Sequence, residues 1–217
     1  SEGMSANAFY FYAATPKPEY SRQLEIGMKY DDGTLSGSIA TFRINRRNVP
    51  VTNPEDPTFL TSITEGQQQS QGVELDAVWQ PAGPWRVMAN YAYTDAELTA
   101  EIPNGAPAGS DLPGVPRHSG SIWLDYDQRD AAGSGWRAGM GVHAASSSWI
   151  NQVNSYKTAG YAVVNASGSY TAGATTYAVA VKNLLDRDYD LPFWQMMEGR
   201  VAPAPERQIL LNISRSF

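Results

Sequence analysis

Three patterns predict an all-β fold, an antiparallel transmembrane β-barrel of about ten meander strands. They are period-two alternation, connections that switch between short and long, and Trp and Tyr gathered near strand ends. Alternation places the strands, because successive side chains of an extended segment point to opposite faces. Leu24, Ile26, Met28 and Tyr30 alternate with Glu25, Gly27 and Lys29, and Val73, Leu75, Ala77 and Trp79 with Glu74, Asp76 and Val78. Trp85, Val87, Ala89, Tyr91 and Tyr93 interleave with Arg86, Met88, Asn90 and Ala92, and Ile122, Leu124 and Tyr126 with Trp123 and Asp125. Trp136, Ala138, Met140, Val142 and Ala144 face away from Arg137, Gly139, Gly141 and His143. Tyr177, Val179 and Val181 face away from Ala178, Ala180 and Lys182, and Ile209, Leu211, Ile213 and Phe217 from Asn212, Ser214 and Ser216. Weaker strands are expected over 8–13, 35–45 and 161–171, and no segment reads as a convincing helix.

The connections supply the second observation. Turns at 31–33, 81–84, 130–134 and 172–174 are short and rich in Gly, Pro and Asp, as tight hairpins require. Between them lie long stretches at 46–66, 96–117, 146–160 and 187–206, so short and long alternate down the chain. Loops sorted by length onto two ends are the pattern of an outer-membrane barrel, whereas a soluble sandwich does not sort them. Trp79, Trp85, Tyr93, Tyr126, Trp136, Tyr170 and Tyr177 fit the aromatic girdles of such a barrel. Glu25, Lys29, Glu74, Asp76, Arg86, Asn90 and Lys182 are placed on a wet inner face, because unpaired charges in a dry core would be costly.

Composition narrows the function. Of 217 residues 42% are hydrophobic and 18% charged, too apolar for disorder and sparse in charge for a water-covered surface. A net charge of -6 leaves no basic stripe for phosphates, so nucleic acid is excluded as a partner. The absence of cysteine excludes disulfides and Cys-based zinc sites, and no apolar run reaches the length of a transmembrane helix.

Six stretches in series resemble one family: "RQLEIGMKY" after Lys17-Pro18-Glu19, "GVELDAVWQP", "WRVMANYAYTDAEL", "LPGVPRHSGSIWLDY", "GYAVVNASGSY" and "VAVKNLLDRDY". Together they are similar to the C-terminal part of the barrel of TonB-dependent siderophore receptors, the ferrichrome and hydroxamate type. The resemblance implies that residues 1–217 are a partial barrel, with the plug domain and N-terminal strands outside this stretch. It implies a Gram-negative outer-membrane location, uptake of ferric siderophore, and TonB reached only through the N-terminal region. It also places Asn183-Leu184-Leu185-Asp186 at the end of the penultimate strand. The last strand, with Ile209, Leu211, Ile213 and Phe217 on one face, becomes the signal read by the barrel assembly machinery, although any edge strand can end on an aromatic. Arg215 departs from that face, its long stem able to snorkel.

No enzyme is expected, since no nucleophile, base and orienting group stand together and neither His118 nor His143 has a ligand partner at helical or strand spacing. No cofactor is expected either. The ligand, a ferric siderophore, already coordinates its iron and asks the protein for aromatic and polar contacts. Trp149, Tyr156, Phe193 and Trp194 in the long loops are the candidates, with girdle or loop packing as their alternative role. Glu55, Asp56, Asp95, Glu97, Glu101 and Asp111 could bind a divalent cation but lack calcium-loop spacing and read as solvated. The remaining alternative is a self-contained small outer-membrane barrel, a passive pore or adhesin. It requires the strand near 8–13 to pair with the last one.

Overall fold

A computed structural model describes residues 11–12, 16–58, 60–193 and 200–216. Among these residues the chain is all β, with fourteen strands and no helix. In order they are β1 (Phe11–Tyr12), β2 (Tyr20–Asp31), β3 (Leu35–Thr52), β4 (Thr61–Trp79), β5 (Trp85–Leu98), β6 (His118–Arg129) and β7 (Gly135–Ala145). They continue as β8 (Ser148–Trp149), β9 (Lys157–Thr158), β10 (Tyr161–Ala172), β11 (Thr175–Lys182), β12 (Asp190–Phe193), β13 (Arg200–Pro203) and β14 (Gln208–Arg215). The main sheet runs β14-β11-β10-β7-β6-β5-β4-β3-β2, an antiparallel meander in which the long strands pair with their neighbours in chain order.

Register carries the alternation unbroken across this sheet. One continuous row reads Leu35, Trp79, Val87, Leu124, Met140, Ala166, Val181 and Ile209, each cross-strand partner of the next. Directly opposed residues share a face, so a one-residue slip anywhere would throw half the sheet's apolar side chains to the polar side. The apolar face is open: Ile26, Met28, Ile122, Met140 and Leu211 are 53% to 80% exposed. Surface of that kind is a liability in water and is stable against lipid tails.

Short turns sit at one end of the sheet. Asp32 accepts from the Thr34 and Leu35 N–H groups, and Asp130 from those of Ala132 and Ser134, closing two of them. Gly173 has φ 58° in the tight link between β10 and β11, a left-handed conformation that a side chain would strain.

The opposite end differs from the sequence expectation. The stretch 46–66 is not a long loop: β3 runs for 18 residues and β4 for 19, leaving only 53–60 between them. Above the lipid both faces of a hairpin are polar, so the Arg, Asn and Gln of this extension show no alternation while the backbone ladder continues. Register shifts around Val49 turn Val49 and Val51 inward. Val51 then packs with Leu98, Ile102 and Ala106, and Ile63 and Leu112 lie against them. This cluster lies in the loop end, beyond the apolar face. Two other long connections carry small hairpins, β8–β9 and β12–β13.

Two more expectations change. Within 8–13, only Phe11–Tyr12 is described as strand, and it pairs in parallel with β4, not with β14. Among the described residues β2 and β14 do not pair with each other, so the sheet stays open. And β11 stops at Lys182, so Asn183-Leu184-Leu185-Asp186 forms the corner beyond the penultimate strand. Asn183 and Asp186 both have positive φ, 50° and 52°, which Asn and Asp tolerate better than bulkier residues and which ends the strand.

Candidate functional site

The loop end carries the first candidate surface. Trp149 ends β8 opposite Lys157 of β9, and its indole lies beside the loop of residues 99–117. Its Nε1 donates to Asp111 Oδ2 at 2.9 Å, and Arg117 donates to Asp111 Oδ1 at 2.8 Å. The Lys157 ammonium stands 4.1 Å from the Trp149 ring centroid, a cation–π contact. Asn154 closes the junction from the backbone: its Oδ1 accepts from the Asp111 N–H at 2.7 Å and its Nδ2 donates to the Asp111 carbonyl at 2.9 Å. Partial burial pushes the Asp111 carboxyl up more than any other influence, yet the hydrogen bonds from Arg117 and Trp149 and the charges of Arg117 and Lys157 together hold it below the ordinary range.

Of the aromatic candidates, Trp149 is therefore half-buried between two loops with its N–H committed, whereas Tyr156 is 66% exposed, its hydroxyl without a partner among the described residues. Phe193 ends β12, and Trp194 lies outside the described residues, so the four candidates are not brought together on one described surface. Four of the six loop carboxylates, Glu55, Asp56, Asp95 and Asp111, are tied to the chain. Asp56 accepts from both N–H and Oγ1 of Thr58 and of Thr61, Arg117 bridges Asp95 and Asp111, and Glu55 faces Asn104 at 3.4 Å. Among the described residues no group of acids and histidines could hold a metal ion.

The second candidate surface is the polar face. Register puts Glu25, Lys29, Glu74, Asp76, Arg86, Asn90 and Lys182 on it, as their alternation predicts. Asp125, 5% exposed, accepts from Trp123 Nε1 at 3.0 Å and from Arg137 at 2.9 Å. Trp123, Asp125 and Arg137 line a concavity of about 500 Å³ with Met88, Ser167 and Asn212. Nearer the loops, His143 Nε2 meets the Tyr161 hydroxyl at 3.3 Å and Tyr161 lies 4.6 Å from Tyr189, ring to ring. His118 faces the other way, 2.8 Å from the Tyr91 hydroxyl and against Tyr93.

Sequence reasoning missed the Asp111 junction and the pair Tyr161–Tyr189. Nothing local marks the junction, which joins residues 38 and 43 positions apart. The tyrosines carried a weak signal, since Tyr161 shares its face with His143 once β7 and β10 pair.

On the last strand, Ile209, Leu211 and Ile213 stand opposite Val181, Val179 and Tyr177 and are 65%, 80% and 71% exposed on the apolar face. Phe217 lies outside the described residues.

A twisted meander with one apolar face, one polar face and loops sorted by length is a wall of an outer-membrane β-barrel. The model of the TonB-dependent receptor-like β-barrel family matches residues 1–184, and the chain belongs to that family. It is 31% identical over 179 residues to the ferrichrome outer membrane transporter/phage receptor of Escherichia coli, covering 79% of this chain and 23% of that protein. It is 30% identical over 204 residues to the metal-pseudopaline receptor CntO of Pseudomonas aeruginosa, covering 92% of this chain and 28% of that one. The chain thus spans about a quarter of the length of these curated relatives. The fold is shared with the ferric preacinetobactin receptor BauA of Acinetobacter baumannii, at a TM-score of 0.77 and 23% identity over 92% of this chain and 30% of that one. Its place is the outer membrane of a Gram-negative cell.

Proposed function

We propose that this chain forms part of the barrel wall of a receptor that takes up a ferric siderophore across the outer membrane, driven through TonB. The observation that supports it is the two-sided register, which gives one sheet a lipid face, a wet face and a loop end that carries exposed aromatics. The relatives include receptors named for ferrichrome and ferrioxamine B, both iron chelates of the hydroxamate class. The open edges at β2 and β14 leave room for further strands and a plug that the receptor would carry elsewhere in its chain.

In this reading Tyr156, with Phe193 and Trp194, contacts the ligand, and Trp149 holds the β8–β9 connection that presents Tyr156. The protein acts by binding and translocation, not by catalysis, and needs no resident cofactor. Ile209, Leu211, Ile213 and Phe217 offer the assembly machinery an apolar strand face with a free backbone edge. TonB would be engaged by the N-terminal part of the receptor.

The test is uptake of radiolabelled iron by cells that lack their own hydroxamate receptors and express the full-length protein. Ferrichrome-dependent, TonB-dependent uptake is expected, reduced severalfold in Tyr156→Ala with unchanged surface expression. Uptake that persists without TonB would instead indicate a passive pore.

A further inference from the structure

The last long connection is rooted between β11 and β14 and pinned at its neck. Asn183 donates to the Pro205 carbonyl at 3.3 Å, and Asp186 accepts from the Arg207 N–H at 2.8 Å and from its guanidinium at 3.3 Å. Above the neck the two arms stay together: the Ala204 N–H donates to the Tyr189 carbonyl at 2.9 Å, and β12 then pairs with β13. A hairpin built this way could stand upright over its own strands.

Instead it lies sideways. Arg187 reaches the Ala162 carbonyl of β10 at 3.4 Å, and two residues further the Tyr189 ring lies on Tyr161, with 4.6 Å between centroids and 33° between planes. Tyr161 opens β10 on the polar face, where it also meets His143 of β7, hydroxyl to Nε2 at 3.3 Å and edge-on at 5.1 Å between rings. Farther out β12 lies beside β9, and a Cβ placed on Gly114 would stand 3.9 Å from Pro192. Gly114 belongs to the connection between β5 and β6, and its N–H donates to the Trp149 carbonyl at 2.8 Å, so the hairpin reaches the Asp111 junction. From its root it has therefore crossed the ends of β10 and β7. Tyr161 and His143 share the wet face, which puts the crossing on the barrel's interior side.

The three holds fix different things. The neck fixes the root whichever way the hairpin lies, and Pro192 makes only a loose apolar approach to Gly114. The Tyr189–Tyr161 pair fastens the hairpin to the wall between them. Tilted rings at this separation attract beyond the area they bury, and a Tyr ring is ordered at the cost of only two side-chain torsions.

We propose that Tyr189 is a positioning residue: stacked on Tyr161, it holds the β12–β13 hairpin inward across the wet face and so sets how the loop end meets its ligand. The effect on ligand rests on the uptake reading above, whereas the pose of the hairpin stands without it. The test uses the full-length receptor with spin labels at Val201→Cys on exposed β13 and at Ala132→Cys in a short turn of the opposite end. Double electron–electron resonance reads their distance without ligand, and quenching of tryptophan emission reads ferrichrome affinity. One narrow distance is expected in the parent and in Tyr189→Phe, which keeps the ring, and a broad distribution in Tyr189→Ala. Ferrichrome should bind roughly 5-fold more weakly to Tyr189→Ala and as in the parent to Tyr189→Phe. A parent-like distance in Tyr189→Ala overturns the proposal, and so does a broadened distance with unchanged affinity. Should Tyr189→Ala fail to fold, Tyr161→Leu removes the other ring of the pair and is read by the same criteria. A parent that binds no ferrichrome counts against the uptake reading alone, and the distance then decides the pose by itself.

Discussion

Single residues at the loop end do work that their positions in the sequence only hint at. Asn183 is 3% exposed; its N–H donates to Asn165 Oδ1 at 2.9 Å, its Nδ2 to the carbonyls of Arg187 and Pro205, and its Oδ1 accepts from the Arg187 N–H at 2.9 Å. The Asn183→Ala variant strands buried backbone groups and should lose about 1–3 kcal/mol, read as a lower urea midpoint with unchanged slope in reversible unfolding. The resemblance made the Asn-Leu-Leu-Asp string legible, but not its role, because the partners at Pro205 and Arg207 are brought in only when β14 pairs with β11. Asp111 makes a pH prediction. Its carboxyl is held below its unfolded value of about 3.9, so it contributes stability that is present above that value and lost as pH falls through the lower folded value. Trp149 emission should stay constant from neutral pH down to the ordinary carboxylate range and shift red only below it. In Asp111→Asn the emission should be insensitive to acid across the same window.

Strands as elements were mostly legible, since alternation needs only the two faces to differ in solvent. It failed where they do not differ: the β3–β4 extension stands above the lipid, with polar residues on both sides and no period to see. The pairing of β6 with β7 shows a second kind of information that no period carries. Trp123 faces the wet side and lies over Gly139 and Gly141, so that a Cβ on Gly141 would meet its ring at 2.4 Å and the Ile122 carbonyl at 2.6 Å. The ring can swing away, but the backbone carbonyl cannot. Gly141→Ala should therefore cost about 1–3 kcal/mol and release the Trp123 indole from Asp125. The measurement is the unfolding midpoint together with near-ultraviolet dichroism, which should lose a tryptophan band if the indole becomes free. In the sequence those glycines look like ordinary small residues of a strand; their reason appears only once the register sets Trp123 opposite Gly141.

For the whole molecule, the governing fact is that adjacent positions of one strand live in different solvents. Leu210 and Leu211 are the same residue, next to each other in β14 and both exposed, yet Leu210 pairs with Ala180 on the polar face and Leu211 with Val179 on the apolar face. A soluble sheet exposing both faces would treat an arginine at either place alike. In a barrel wall the two differ: Leu211→Arg must take a guanidinium into hydrocarbon, at about 2–4 kcal/mol near the midplane, while Leu210→Arg enters a wet interior at little cost. Reversible unfolding of the full-length receptor from lipid vesicles measures both changes in one strand and one background. A large penalty confined to position 211 is the expected result. Equal penalties would mean that the two faces see the same medium, and the assignment of lipid and lumen sides would fall with it.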